Sequence, residues 1–396
     1  MDYKKVNNLT GWAVFAVSAY TFLSTMEPTA SFWDCGEYIA TSVKLQVGHP
    51  PGAPLFQMIG RLFSLFAGKD LTRQAIMVNS MSALSSAFAV LFLFWSITHM
   101  ARKLVERKGG QMTDVKMWAV MGSGMVGALA YNFSDSFWFS AVEGEVYGMS
   151  QLCTAFAFWI ILKWESVADQ PHNERWIVLI AYTIGLSIGV HLLNLLTIPA
   201  IVFIYYFKNF KVTQKGFIIT LVLSVLMLGG ILNGIIPGII NMAANYEIFF
   251  VNKFGLPFNS GTVVYFGIIL AIILVGIKYT HSESEKLFTY LMILMGVFVV
   301  FAVFSGPNGM SMAFRLIVGA AVIGIVYYAR KKVMVLNTVI LCFSMLVIGY
   351  SSFLMLVIRS NAPTPMNENA PKDALGLLSY LGREQYGDWP DRKSVV

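Results

Sequence analysis

Apolar stretches of membrane-spanning length recur along this chain, and its polar residues gather in the gaps between them. A helix needs about 20 mostly apolar residues to cross a bilayer. Runs of that kind predict eleven transmembrane helices, over 10–26, 77–100, 117–132, 147–163, 176–190, 194–207, 217–239, 262–277, 287–304, 312–329 and 333–357. The pair at 176–207 is separated only by the polar interruption "VHLLN". The gap at 27–76 is too long for a plain connection. It reads as two short helices broken at "GHPPG", because proline lacks a donor and stops a helix. Leu55, Ile59, Leu62, Phe63 and Phe66 in the second of these follow helical spacing, as in a segment lying in the membrane interface.

Composition agrees with the pattern. Of 396 residues 57% are hydrophobic and 12% charged, against about 25% charged in an ordinary soluble domain. Mean hydropathy is +0.66. The fold class expected is therefore an all-α polytopic membrane protein, with interfacial helices in the first external loop. Lys4 and Lys5 precede the first apolar run, but no small-x-small cleavage site follows, so that run reads as an uncleaved span. The net charge of +7 sits in short loops, which is an orientation signal and excludes a nucleic-acid-binding face.

With the N-terminus cytoplasmic, seventeen Lys and Arg fall in inside segments and six in outside loops, the rest in the tail. That bias obeys the positive-inside rule and puts the C-terminus outside after an odd number of spans. The three cysteines give no disulfide framework. Cys35 stands alone in the first loop, where a membrane-impermeant reagent is expected to reach it. There is no CxxC, HExxH, Walker loop or GxGxxG, so zinc-protease, ATP and dinucleotide chemistry are unsupported.

The chemistry concentrates in two outside loops. Asp34 and Glu37 are three apart and would share a helix face. They suit a general base or a metal, or equally a helix cap and loop solvation. Their apolar neighbours Phe32 and Trp33 would make them costly to bury unpartnered. No ligand spacing indicates a divalent cation, and no cofactor is called for. His49, ahead of Pro50-Pro51-Gly52, either positions a substrate or ends a structural turn. In loop 133–146, Glu143 and Glu145 flank a glycine, as a second acidic site or as solvated loop residues. His191 and Asn194 at the outer ends of two spans are functional polar groups or inter-helix hydrogen-bonding ones. Arg61 and Arg315 can neutralise a lipid phosphate or snorkel to headgroups.

The stretches "EPTASFWDCGEYIATSVKLQVGHPPGAPLFQMIGRLFSLF", "WFSAVEGEVYGMSQL" and "GVHLLNLLTIPA" resemble a bacterial membrane family long of unknown function. That family is related to the vertebrate transmembrane O-mannosyltransferases acting on plexin and receptor-kinase IPT domains. The resemblance runs from the N-terminus to "SYLGREQYGD". It implies a GT-C glycosyltransferase with a polyprenyl-phosphate-linked sugar as donor, an exported protein as acceptor and an active site at the outer face of the bacterial inner membrane. It gives the role of catalytic base to Asp34 with Glu37 beside it. It maps a second-loop acid to Glu143 or Glu145 and the HPPG motif to His49–Gly52; with these, Arg61, Tyr147, His191, Asn194 and Arg315 complete the candidate substrate-binding groups. Transfer to a lipid or glycan acceptor, or a transporter or flippase, are the competing functions. The expected organisation is a transmembrane catalytic domain over 1–358 and the start of an external region over 359–390. The last six residues, 391–396, back-translate to a common sequencing adapter and are expected not to belong to the protein.

Overall fold

The computed structural model describes residues 2–306 and 311–387; the expectation for 391–396 lies outside them. The described residues are almost wholly helical. The order is α1 (Tyr3–Thr25), α2 (Cys35–Lys44), α3 (Pro54–Ser64), α4 (Gln74–Glu106), α5 (Asp114–Asn132), α6 (Asp135–Ala141), α7 (Val146–Val167) and α8 (Glu174–Ile188). Then come α9 (Ile198–Asn209), α10 (Gln214–Gly230), α11 (Ile236–Phe254), α12 (Ser260–Ser282), α13 (Glu285–Ser305), α14 (Met312–Ala329), α15 (Val333–Tyr350), α16 (Leu354–Ser360) and α17 (Ala374–Gly382).

By length and composition, eight helical stretches among the described residues can cross a membrane, which makes this a multi-pass membrane protein. They coincide with eight of the eleven predicted spans. The other three, in α1, α5 and α8, are helical where expected but are not among the eight; α8 has only 15 residues. The span predicted to stop at 239 does not stop. One turn of π-helix, Ile231–Ile235, joins α10 to α11, and the helix runs on to Phe254. At about 1.5 Å per residue its 41 residues extend roughly 60 Å, twice a bilayer core. The polar residues of 240–254 had marked a loop. Glu247, fully buried, instead accepts hydrogen bonds from the Asn259 and Thr262 backbone N–H groups and tethers the start of α12.

One core forms where α1, α5 and α7 pack around α4, with Phe22, Phe94 and Met121 fully buried. A second joins α8, α9, α11 and α15 to the tail through Ile184, Leu195, Ile240 and Tyr350. α17 lies on α11, Ala374 against Ala243 and Ala244. Within the first core α1 and α7 run between the same two ends. The end formed by Thr25, α2, α6 and Glu145 carries the acidic loops; the other holds Tyr3, Arg102 and Glu165.

Candidate functional site

The break at "GHPPG" falls where the sequence places it. α2 ends at Lys44 with Leu45 in the left-handed region, and α3 begins at Pro54, where the missing N–H is no loss. The intervening loop folds back over the first turn of α2. The backbone N–H of His49 donates to Glu37 Oε1 at 2.6 Å, and its ring Nδ1 lies 2.9 Å from the same oxygen. His49 Nε2 then faces Asp34 Oδ2 at 3.8 Å. This fold-back needs Gly48: a Cβ there would collide with Glu37 Oε1.

The second acidic loop meets the first. Cys35, the residue after Asp34, is fully buried and hydrogen-bonded to Glu143. The Glu27 N–H donates to the Val142 carbonyl at 2.9 Å. From α4, Asn79 donates to the Glu27 and Thr29 carbonyls at 2.7 and 3.0 Å, and Ser82 donates to the Glu145 carbonyl at 3.3 Å. Gly144 sits between the two glutamates because a Cβ there would meet Asn79 Oδ1 at 2.8 Å and Ile39 at 3.0 Å. The two loops thus form one acidic face across the top of α4.

Its carboxylates differ in setting. Asp34 is 57% exposed in its side chain, whereas Glu143 and Glu145 are buried. Burial pushes Glu37 up, but the hydrogen bonds and charge of His49 outweigh it and hold the carboxyl below its ordinary value. The Glu37 hydrogen bond in turn raises His49 against the opposing effect of burial, with the charges of Glu37, Asp34 and Glu368 adding to it. Glu145 caps α7, accepting from the Val146 N–H at 3.2 Å. Burial dominates there, and with the Asp34 and Glu143 charges it carries Glu145 up to about 7. Burial beside Glu143, Glu145 and Asp34 pushes the Cys35 thiol well up. This corrects the expectation of a reachable Cys35: the thiol is enclosed and disfavoured as thiolate.

Phe32 and Trp33 are also placed otherwise than their apolar character suggests. Both are strongly exposed, Trp33 with φ +59°, and they leave Asp34 open. Tyr38 closes the inner side of the face, its ring 5.7 Å from that of His49. Tyr147 lies two residues past Glu145 with its ring 5.6 Å from that of His191. His191 accepts from the Leu193 N–H and so caps the short 3-10 turn Leu192–Thr197. Asn194 is buried, and its Oδ1 accepts from Ser150 and Thr154 of α7 at 2.9 and 2.7 Å. Arg61 donates to the Val43 carbonyl at 2.5 Å, at the far end of α2 from Asp34. Arg315 packs on Gly306, and no contact joins it to the acidic face among the described residues. No group of three or more His, Cys, Asp or Glu side chains is arranged to hold a metal ion among the described residues.

The tail supplies groups that sequence reasoning missed. Residues 366–368 run alongside Val47, with N–H bonds in both directions. Tyr380 is fully buried, and its hydroxyl donates to the Gly48 carbonyl at 2.6 Å and lies 3.2 Å from that of His49. Arg359 donates to the Leu45 carbonyl at 2.5 Å. The loop that holds His49 over Glu37 is therefore clamped from outside by α16 and α17. Nothing local in the sequence signals this, because the partners are backbone carbonyls more than 300 residues away.

Residues 34–214 match the family model described as the protein O-mannosyl-transferase TMEM260 N-terminal domain. The chain is 24% identical over 200 residues to protein O-mannosyl-transferase tmem260 of Dictyostelium discoideum, covering 49% of this chain and 22% of that protein. It is 25% identical over 177 residues to protein O-mannosyl-transferase TMEM260 of Mus musculus, covering 44% and 22%. The chain is thus a distant relative of these proteins and spans about a fifth of their length. No solved structure matches. The matched region begins at Asp34 and contains Glu37, His49, Glu143 and Glu145.

Proposed function

We propose that this chain is an inverting glycosyltransferase that moves a sugar, mannose by its distant relatives' names, from a polyprenyl-phosphate donor to Ser or Thr hydroxyls of exported proteins. The reaction takes place at the outer face of a bacterial inner membrane, the side given to loops 27–76 and 133–146 by the loop charges. The observation that carries this reading is the meeting of the two acidic loops around one exposed carboxylate, Asp34.

Asp34 is open to an acceptor, whereas Glu37 is occupied by His49 and Glu145 is enclosed. Asp34 accepts the proton of the attacking hydroxyl as that oxygen bonds to the anomeric carbon. The bond from that carbon to the phosphate oxygen breaks, and its electron pair leaves with the lipid phosphate. His49, held toward its charged form by Glu37, presents Nε2 beside Asp34 and stabilises developing negative charge. On the opposite loop the exposed Tyr147 orients sugar or acceptor, with the enclosed Glu145 positioning it from the start of α7. Phe32 and Trp33, exposed next to Asp34, fit the membrane surface where a lipid donor arrives.

Membranes with and without the chain, incubated with labelled polyprenyl-phosphate sugars, test this. Label from a mannosyl donor should reach protein and be released by β-elimination. Label passing into lipid or glycan would change the acceptor class. Label that crosses the membrane without becoming attached would make the chain a transporter.

A further inference from the structure

At the end of the bundle opposite the acidic face lies a cavity of 930 Å³ bounded by α1, α4, α7, α8 and α9. It is large enough for a phospholipid headgroup and is lined by more cations than anions. Three of the cations are neutralised within the protein: Arg102 by Glu106 at 2.8 Å, Lys103 by Glu165, and Lys208 by Asp169 at 2.6 Å. Lys4 and Lys163 are not. Neither has a carboxylate within ion-pair distance among the described residues, and their ammonium charges act on one another repulsively. Three buried polar atoms of the lining, the Trp95 and Trp176 indole N–H groups and Asn7 Oδ1, have no hydrogen-bond partner among the described residues. Buried polar groups normally find partners. Two unpaired donors, an unpaired acceptor and two unneutralised cations together describe an anion that also carries hydroxyl groups.

The apolar side of the cavity continues out of it. Trp12, Trp95 and Trp159 line the wall. Their rings pass directly into a row of half-buried aromatics on α4 and α7, Phe92 5.7 Å from Trp95 and Phe156 4.9 Å from Phe92. On the other flank Phe88 lies 6.4 Å from Trp12. A charged chamber opening onto an aromatic groove has the polarity of a membrane lipid, headgroup first and acyl chain following.

We propose that this cavity binds the phosphate headgroup of an anionic phospholipid, with Lys4 and Lys163 on the phosphate, Trp176 and Asn7 on its polar substituent, and an acyl chain along the aromatic groove. The site is separate from the acidic face and does not rest on the proposed transfer reaction.

Native mass spectrometry of the full chain, titrated with dioleoyl phosphatidylglycerol or dioleoyl phosphatidylcholine, tests it. Phosphatidylglycerol should bind preferentially, and the double variant Lys4→Gln, Lys163→Gln should weaken it by about tenfold or more, as loss of charged hydrogen bonds does. Lys4→Arg with Lys163→Arg should keep the preference, and so should Lys331→Gln, a cation outside the cavity. The proposal is overturned if the wild type binds both lipids equally. It is equally overturned if the double Gln variant, folded by its unchanged melting temperature, keeps the preference. Displacement of bound phosphatidylglycerol by inorganic phosphate at comparable concentration would assign the site to a free anion and overturn the lipid.

Discussion

The two acidic loops bring the same side chains to one face and give them opposite conditions. In the first, Glu37 lies against a histidine that holds it ionised, and Asp34 beside it stays open. In the second, Glu145 is enclosed with no cation within ion-pair distance among the described residues, and burial carries it up to about 7. The difference arises from the backbone. The fold-back at Gly48 delivers an imidazole to the first loop, whereas the tight Glu143-Gly144-Glu145 turn meets α4 side chains, the Cys35 thiol and the Val146 N–H. Under the proposed reaction, proton transfer belongs to the first loop and substrate orientation to the second.

The largest expected effect is on Asp34. Asp34→Asn should lower turnover by about 10²–10⁴, the usual contribution of a positioned base, with donor affinity unchanged. Saturation kinetics beside a donor-binding assay check this, and near-normal turnover would move the base to another carboxylate.

Glu145 should respond in stability. Its folded pKa, about 7, lies above the ordinary carboxyl value, so the folded state holds the proton more tightly than the unfolded chain. The wild type therefore loses stability as pH rises from about 4.5 through about 7. Glu145→Gln removes that loss. It should melt higher than wild type at pH 8 and gain nothing at pH 4; an equal difference at both values would show that the carboxyl is not raised.

The smallest effect should come from the clamp. Tyr380→Phe removes the hydroxyl that holds the Gly48 and His49 carbonyls and should cost about 1 kcal/mol in unfolding free energy. Because His49 is then held less firmly over Glu37, the alkaline limb of the pH–rate profile should shift to lower pH. A stability change with no shift of that limb would leave Tyr380 a packing residue only.

Much of this was legible in the sequence, for identifiable reasons. α2, the break and α3 lie where proline chemistry puts them, and eight long apolar runs became helices that can span a membrane. The proximity of Asp34 and Glu37 followed from their spacing. The extension of α11 to Phe254 was hidden because Glu247 and its asparagine neighbours look like loop residues until their partner, the start of α12, is in place. Burial of Cys35 was hidden too, since the residue beside it, Asp34, is exposed and only helix direction separates them. Closure of the tail over His49 depends on backbone carbonyls, which carry no residue code.

The central claim, that both loops form one donor site, is most directly tested by photocrosslinking with a polyprenyl-phosphate sugar carrying a diazirine on the sugar. After digestion, adducts should map to two peptides, one containing Asp34 to His49 and one containing Glu143 to Tyr147, and excess unlabelled donor should suppress both together. Adducts confined to one loop, or found instead in the basic cavity at the opposite end of the bundle, would contradict the account.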